Sequence, residues 1–439
     1  MRSRVRRVVI TGIAGLSPLG SSKEELWEGL SSGRSGVGPL SFALPDDFPV
    51  RCGGEAQQFS GSIGDFGPLS KDLQKTIRKG LKVMCRECQM GVAAAQRALT
   101  DARVEAGQFD PERVGVSFGA DYMLTVPEEF IEGVRNCLTA SGDFEFSRWA
   151  AEGLPKMSPL WLLKYLPNMP ASHVAIYNDF RGPNNSLTLR EAAGNAALLE
   201  AQQIIARGHA DVMLVGATGT RLQLMKLIHA AKQDELAQFN ADPARASRPF
   251  DRQRTGMVLA EAAGALILEE LESAQARGAT IYGEVVAGAS SSVADPHLAA
   301  RRDRAMKNVL AATLASAGYA PEEIGHVHAH GLSTRSADVE EAWAIDQVFG
   351  SRREPVPVVA AKSYMGNAAA GCGLVEVVAS LLALREGRLF RTLNYETPDP
   401  QCPVAVVTDA DTPAGENFIN VNVTPQAQAT AILVRRHPD

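Results

Sequence analysis

The sequence has no apolar run approaching the roughly 20 residues that a membrane-spanning helix needs, so no span is expected. Cysteine is scarce. Cys52, Cys85, Cys88, Cys137, Cys372 and Cys402 are scattered, without the dense spacing of a disulfide scaffold, which points to reduced thiols in a cytoplasm. Cys85 and Cys88 form a CxxC inside a helical pattern, and no second pair completes a zinc site; they are read as structural thiols. Charge of either sign is also in short supply. The 44 basic residues stand against 50 acidic ones, and no basic block gives nucleic acid a footing. The start, Met1 to Arg7, is basic, but the strand signal from Val8 is too short for a signal-peptide core. The glycines after that strand do not make GxGxxG, so a dinucleotide is not expected, nor any other cofactor.

What is present is an ordinary globular composition spread over 439 residues, too many for one simple core and suited to two fused halves. Arg7 to Gly15 reads as a buried strand ending in a glycine turn, and Ser22 caps the helix behind it. Residues 35–70 read as a surface excursion, Lys79 to Ala102 as one helix, and Arg113 to Gly119 as a buried strand. Residues 120–180 read as an insertion carrying Phe130, Phe144, Phe146, Trp149, Trp161 and Tyr165. The pattern then restarts. Ile281 to Gly288 repeats the opening strand, Ile324 to Gly331 repeats the Arg113 strand, and Val356 to Gly387 repeats a strand–turn–helix seen earlier. An internal duplication of βαβ-type halves follows, 1–275 and 276–439.

That earlier strand–turn–helix organises the chain. Gly182 to Gly194 leads into a small-residue helix, Asn195 to Arg207, and a strand, Asp211 to Gly216. Such an elbow presents one residue at a helix N-terminus, where free N–H groups and the macrodipole favour an anion. A thiolate would suit that position, because the same field lowers a cysteine pKa. The residue there is Glu191.

These stretches together resemble the elongating β-ketoacyl-acyl carrier protein synthases, over Val8 to Val434. Pro249-Phe-Asp matches that family's Pro-Phe-Asp loop. His330-Gly-Leu-Ser-Thr matches its His-Gly-Thr-x-Thr motif, with Asp338 and Glu341 following, and Lys362-Ser-x-x-Gly-Asn367 matches Lys-Ser-x-x-Gly-His. The resemblance implies a thiolase-like five-layer αβαβα fold, acyl carrier protein as a partner, and dimerisation. It also exposes three departures. The nucleophilic cysteine aligns with Glu191, the second active-site histidine with Asn367, and the glycine-rich oxyanion loop with Thr424 to Ala429.

Asn367 alone changes little, since an asparagine N–H still polarises a carbonyl. Glu191 changes more, because a carboxylate would have to accept the acyl group as a mixed anhydride, far uphill from a thioester. Pro425 has no N–H to offer an oxyanion. Pairing with Lys362 or Arg190 is expected to keep Glu191 ionised. His326, His328 and His330 would share one face of a strand, but packing accounts for them better than a metal does, and no metal is expected. Asp338, Glu341 and Lys362 are expected to form one charge network supporting the site. The resulting expectation is a catalytically degenerate ketosynthase homologue, resembling a chain-length factor, that pairs with an active ketosynthase or with itself. The alternatives are an enzyme using Glu191 and His330 as acid and base, and an active ketosynthase-type acyltransferase.

Overall fold

The computed structural model describes residues 6–105, 107–238 and 242–437; residues 1–5 of the basic start lie outside them. The first half contributes β1 (Val8–Leu16), α1 (Arg86–Ala102), β2 (Val114–Ala120), β3 (Asn184–Thr188), α2 (Ala193–Ala206), β4 (Val212–Thr220) and β5 (Glu261–Glu270). The second contributes β6 (Gly283–Ser292), α3 (Arg302–Ala317), β7 (His326–His328), β8 (Pro357–Val359), α4 (Ala370–Glu386), β9 (Asn417–Val423) and β10 (Gln428–Arg435).

The duplication is visible in the strand order. The first half runs β1-β5-β4-β2-β3 and the second β6-β10-β9-β7-β8, with a short added strand, Ala405–Val406, at the outer edge. Directions match too: β2 is parallel to β3 and β4, while β5 is antiparallel to β4 and β1. Likewise β7 is parallel to β8 and β9, while β10 is antiparallel to β9 and β6. A five-layer αβαβα fold implies one sheet for each half. Two residue pairs between β1 and β6, Val9 with Glu284 and Ile10 with Gly283, join them into one continuous ladder. The layering is five-fold nonetheless. α1 packs on β1, β4 and β5 from one side, and α3 packs on β6, β9 and β10 from the other. Between them α2 and α4 touch each other and strands of both halves.

The expected helix Lys79 to Ala102 is in fact two. One runs Lys71–Gly80, a tight turn covers Leu81–Val83, Met84 is extended, and α1 starts afresh behind Cys85 as its cap. Periodicity carried across the break because Ile77, Met84 and Cys88 all face the same core. The helix after β1 begins at Lys23 with the reciprocal Ser22–Glu25 cap read from the sequence.

Helix α4 buries almost all of its length, so its approach to the strands is set by backbone contact. A Cβ on Gly371 would lie 2.0 Å from the Ala262 carbonyl oxygen, and one on Gly219 would lie 2.1 Å from that of Ala368. Both glycines hold the start of α4 against β4 and β5, directly beside Asn367. Gly371→Ala should therefore cost about 1–3 kcal/mol in urea denaturation. Gly38→Ala, with nothing within 4 Å, should stay within about 0.5 kcal/mol of the wild type.

Candidate active site

β3 ends at Thr188, and the chain turns sharply through Arg190, whose left-handed φ of 48° stores about 1–3 kcal/mol of strain. A helical turn, Arg190–Ala192, then runs into α2, with Glu191 at its centre and 2% exposed. The position expected for a nucleophile is thus a buried carboxylate. Its Oε1 accepts from Arg221 Nη2 at 2.9 Å and from Asn367 Nδ2 at 3.2 Å, and Arg190 Nε stands 3.4 Å from Oε2. Burial alone would push the Glu191 pKa up; Arg221, then Arg190, its own backbone N–H and Asn367 outweigh it and hold the carboxyl below its ordinary value.

Arg221 is the residue the sequence did not disclose. It sits just past the end of β4, 3% exposed, and its other amino group donates to Asp234 Oδ2 at 3.2 Å. The ion pair is therefore a chain, Glu191–Arg221–Asp234, with Arg221 kept charged despite its burial. Arg190, expected as a partner, does stand beside Glu191; Lys362 does not. Lys362 Nζ is bonded to Glu376 Oε1, donates to the His330 carbonyl at 2.8 Å and lies 3.3 Å from His330 Nδ1. Glu376 in turn accepts from Asn420 at 3.1 Å and Asn422 at 2.8 Å. A lone glutamate in the apolar run Leu374 to Leu384 was the legible signal for this pairing.

His330 is 1% exposed. Burial first, then the Lys362, Arg302 and Arg221 charges, press its pKa well below the ordinary value, so the ring is neutral. With Lys362 and Asn422 both near Nδ1, the network assigns the proton to Nε2. Two of the site's buried polar atoms, His330 Nε2 and Glu191 Oε2, have no hydrogen-bond partner among the described residues. Asn367 is fully engaged: Nδ2 is shared between Glu191 and the Met257 sulfur, and Oδ1 accepts from the Ala369 N–H.

The expected single network of Asp338, Glu341 and Lys362 is three separate contacts. Glu341 accepts the backbone N–H groups of His330 at 2.6 Å and Gly331 at 2.8 Å, and burial raises its pKa to about 8. Asp338 accepts the Phe250 N–H at 2.8 Å, which pins the Pro249-Phe-Asp loop, and burial raises its pKa to about 6. Each carboxylate fixes backbone, which is why neither reaches Lys362. His326 and His328 do point one way, and both meet Ser380, at 3.1 and 2.8 Å; His330 points elsewhere, to Lys362 and Asn422.

The Thr424 to Ala429 segment is a tight hairpin between β9 and β10. The N–H groups of Thr424 and Ala427 bond across the turn at 2.9 and 3.0 Å, and that of Gln428 reaches Thr424 Oγ1 at 3.2 Å. These donors are spent within the turn. A thiol does stand near, Cys372 on α4, 3.8 Å from Asn367 Oδ1, but it is wholly buried and burial pushes its pKa up to about 12. It is no replacement nucleophile.

The Glu191–Arg221 pair predicts a stability pattern. Arg221→Met leaves a buried carboxylate uncompensated and should cost about 3–5 kcal/mol in urea denaturation, whereas adding Glu191→Gln should recover most of the loss. A depressed carboxylate contributes stability that is present above its unfolded pKa and lost as pH falls through its lower folded value. The acid limb of the stability profile should therefore be shallower in the double variant.

Known proteins show the same fold. The profile of the β-ketoacyl synthase N-terminal domain matches residues 5–274, and that of the C-terminal domain matches residues 282–396. The 3-oxoacyl-(acyl-carrier-protein) synthase 2 of Synechocystis sp. is 34% identical over 403 residues, 92% of this chain and 91% of that protein. Its namesake from Coxiella burnetii is 34% identical over 410 residues, with 92% and 91% covered. Among solved structures, the ishigamide ketosynthase/chain length factor superposes with a TM-score of 0.83 at 25% identity, over 99% of this chain and 100% of that one. A β-ketoacyl synthase from Burkholderia phymatum gives 0.84 at 26%, with the same coverage. The chain belongs to the β-ketoacyl synthase family.

Proposed function

We propose that this family member is a catalytically degenerate, chain-length-factor-like subunit of fatty acid or polyketide synthesis, working with acyl carrier protein and an active ketosynthase in the cytoplasm. The observation that carries the reading is the Glu191–Arg221–Asp234 chain, which fills the nucleophile's position with a paired, ionised carboxylate. A carboxylate held this way is a poor acyl acceptor, and an acyl anhydride there would also strand Arg221. The oxyanion donors point the same way, because the hairpin uses its own N–H groups and Asn367 is spent on Glu191. An acid/base role for Glu191 fits less well: its low pKa makes it a weak base, and a neutral His330 locked to Lys362 is poorly placed to exchange protons. Relatives named as synthases share the fold, but activity belongs to the site.

Pairing has its own support. β3 is the outer strand of its half and is largely exposed, and most of the large exposed apolar side chains fall between Ile131 and Ile176, among them Phe146 at 76% exposure. An open strand edge beside such a patch suits a second subunit. Light scattering at micromolar concentration should show a homodimer, converting to a heterodimer when a ketosynthase is coexpressed; a monomer under both conditions would remove this support.

The chemistry is tested by mass and rate. After incubation with an acyl-carrier thioester, or with a cysteine-directed ketosynthase inhibitor, intact mass spectrometry should find no adduct at residue 191. Glu191→Cys should regain acylation while condensation stays orders of magnitude slow, since the hairpin still withholds its donors. Wild-type protein that condenses acyl and malonyl thioesters at ordinary ketosynthase rates would overturn the proposal.

A further inference from the structure

The break that splits the expected Lys79 to Ala102 helix puts the CxxC in a place the sequence did not suggest. Cys85 is not inside a helix; it caps the 17-residue α1, and Cys88 lies on its first turn. Their sulfurs stand 3.7 Å apart. The Met123 sulfur, on the chain leaving β2, lies 3.9 Å from each. Three sulfurs therefore form a nearly equilateral triangle. A point equidistant from all three is about 2.2 Å from each, close to the ~2.3 Å of a metal–thiolate bond. Among the described residues no three His, Cys, Asp or Glu side chains gather to hold a metal; the thioether of Met123 is what makes this group a set of three.

From this geometry we infer a three-sulfur site, Cys85–Cys88–Met123, for a soft monovalent metal ion, copper(I). Ligand type and number select the metal. Thiolate and thioether donors favour soft ions, whereas structural zinc asks for four donors, and among the described residues the sulfurs in mutual contact here are three. Two thiolates and one monocation leave a net charge of −1 at the N-terminus of a long helix, where the macrodipole favours it. Each thiol gives up its proton to solvent as the ion enters. Entry is open, because Cys85 is half-buried and lines a cavity of about 610 Å³ shared with Arg86, Lys226 and Tyr165, while Cys88 and Met123 are buried. The Cys85 N–H donates to the Lys164 carbonyl at 3.3 Å, which fixes the Cys85 backbone from outside; the Cys88 thiol donates to the same carbonyl at 3.7 Å, a bond given up when its proton leaves.

The test is an anaerobic titration of the reduced full-length protein with copper(I) presented as its bicinchoninate complex. The wild type should withdraw one equivalent, and Cys85 and Cys88 should together become protected from alkylation, read by peptide mass spectrometry. Cys85→Ser and Cys88→Ser should lose the equivalent. Met123→Leu conserves volume, so circular dichroism should confirm its fold, and its affinity should fall by about 10–100-fold, the range seen when even outer support of a metal is removed. Folded wild-type protein that takes no copper, or a Met123→Leu variant that binds as tightly as wild type, would overturn the site. So would protein that refuses copper but forms a Cys85–Cys88 disulfide under a mild disulfide oxidant, since the pair would then belong to thiol–disulfide exchange.

Discussion

The constraint on which the rest depends is the burial of two helices, α2 and α4, between strands of both halves. Helix α4, enclosed along nearly its whole length, cannot carry large side chains all round, and α2 buries its first turns and one face; Gly194 and Gly373 sit where the two helices approach each other. Helix ends have unpaired backbone groups, and here those ends are carried into the middle of the molecule. Whatever side chain stands at the start of α2 is therefore cut off from water. Any charge placed there must be matched within the protein.

Two buried ion systems answer that requirement, and they are distinct. Glu191 is met by Arg221 from the end of β4, which is itself steadied by Asp234. Lys362 is met by Glu376 from α4, with Asn420 and Asn422 from β9 completing the carboxylate. His330 touches only the second system and is held neutral by it and by burial. Around them, Asp338 pins the Pro249-Phe-Asp loop and Glu341 pins the His330-Gly331 backbone. At the start of α2 the pairing is chemically self-consistent. A carboxylate alone would be intolerable at such depth; with a guanidinium it is stable.

The same physics bears on the cysteines. Cys372, deep in α4, is pressed up by burial into an unreactive thiol, while Cys85 stands at a helix cap on a cavity with two other sulfurs in contact. Reactivity and ligation follow environment rather than residue type.

Much of this was legible in the chain itself. Strand and elbow patterns repeat because each half must bury the same faces, and Ser22, the Pro249-Phe-Asp loop, His330 and Lys362 are written in local order. That a glutamate stands at the elbow, at residue 191, is a matter of identity, readable without coordinates. Pairings were not readable. Arg221 lies 30 residues from Glu191 and Asp234 a further 13 beyond, in a segment with no distinctive pattern, and only the return of β4 beside the elbow brings them together. The helix break at Leu81 to Cys85 was hidden because both helices present apolar residues to one core, so the periodicity continues where the backbone does not. Met123 joined the cysteines for the same reason. Local sequence decides which groups exist and which face they take; long-range packing in a low-dielectric interior decides which charge, or which sulfur, each one meets.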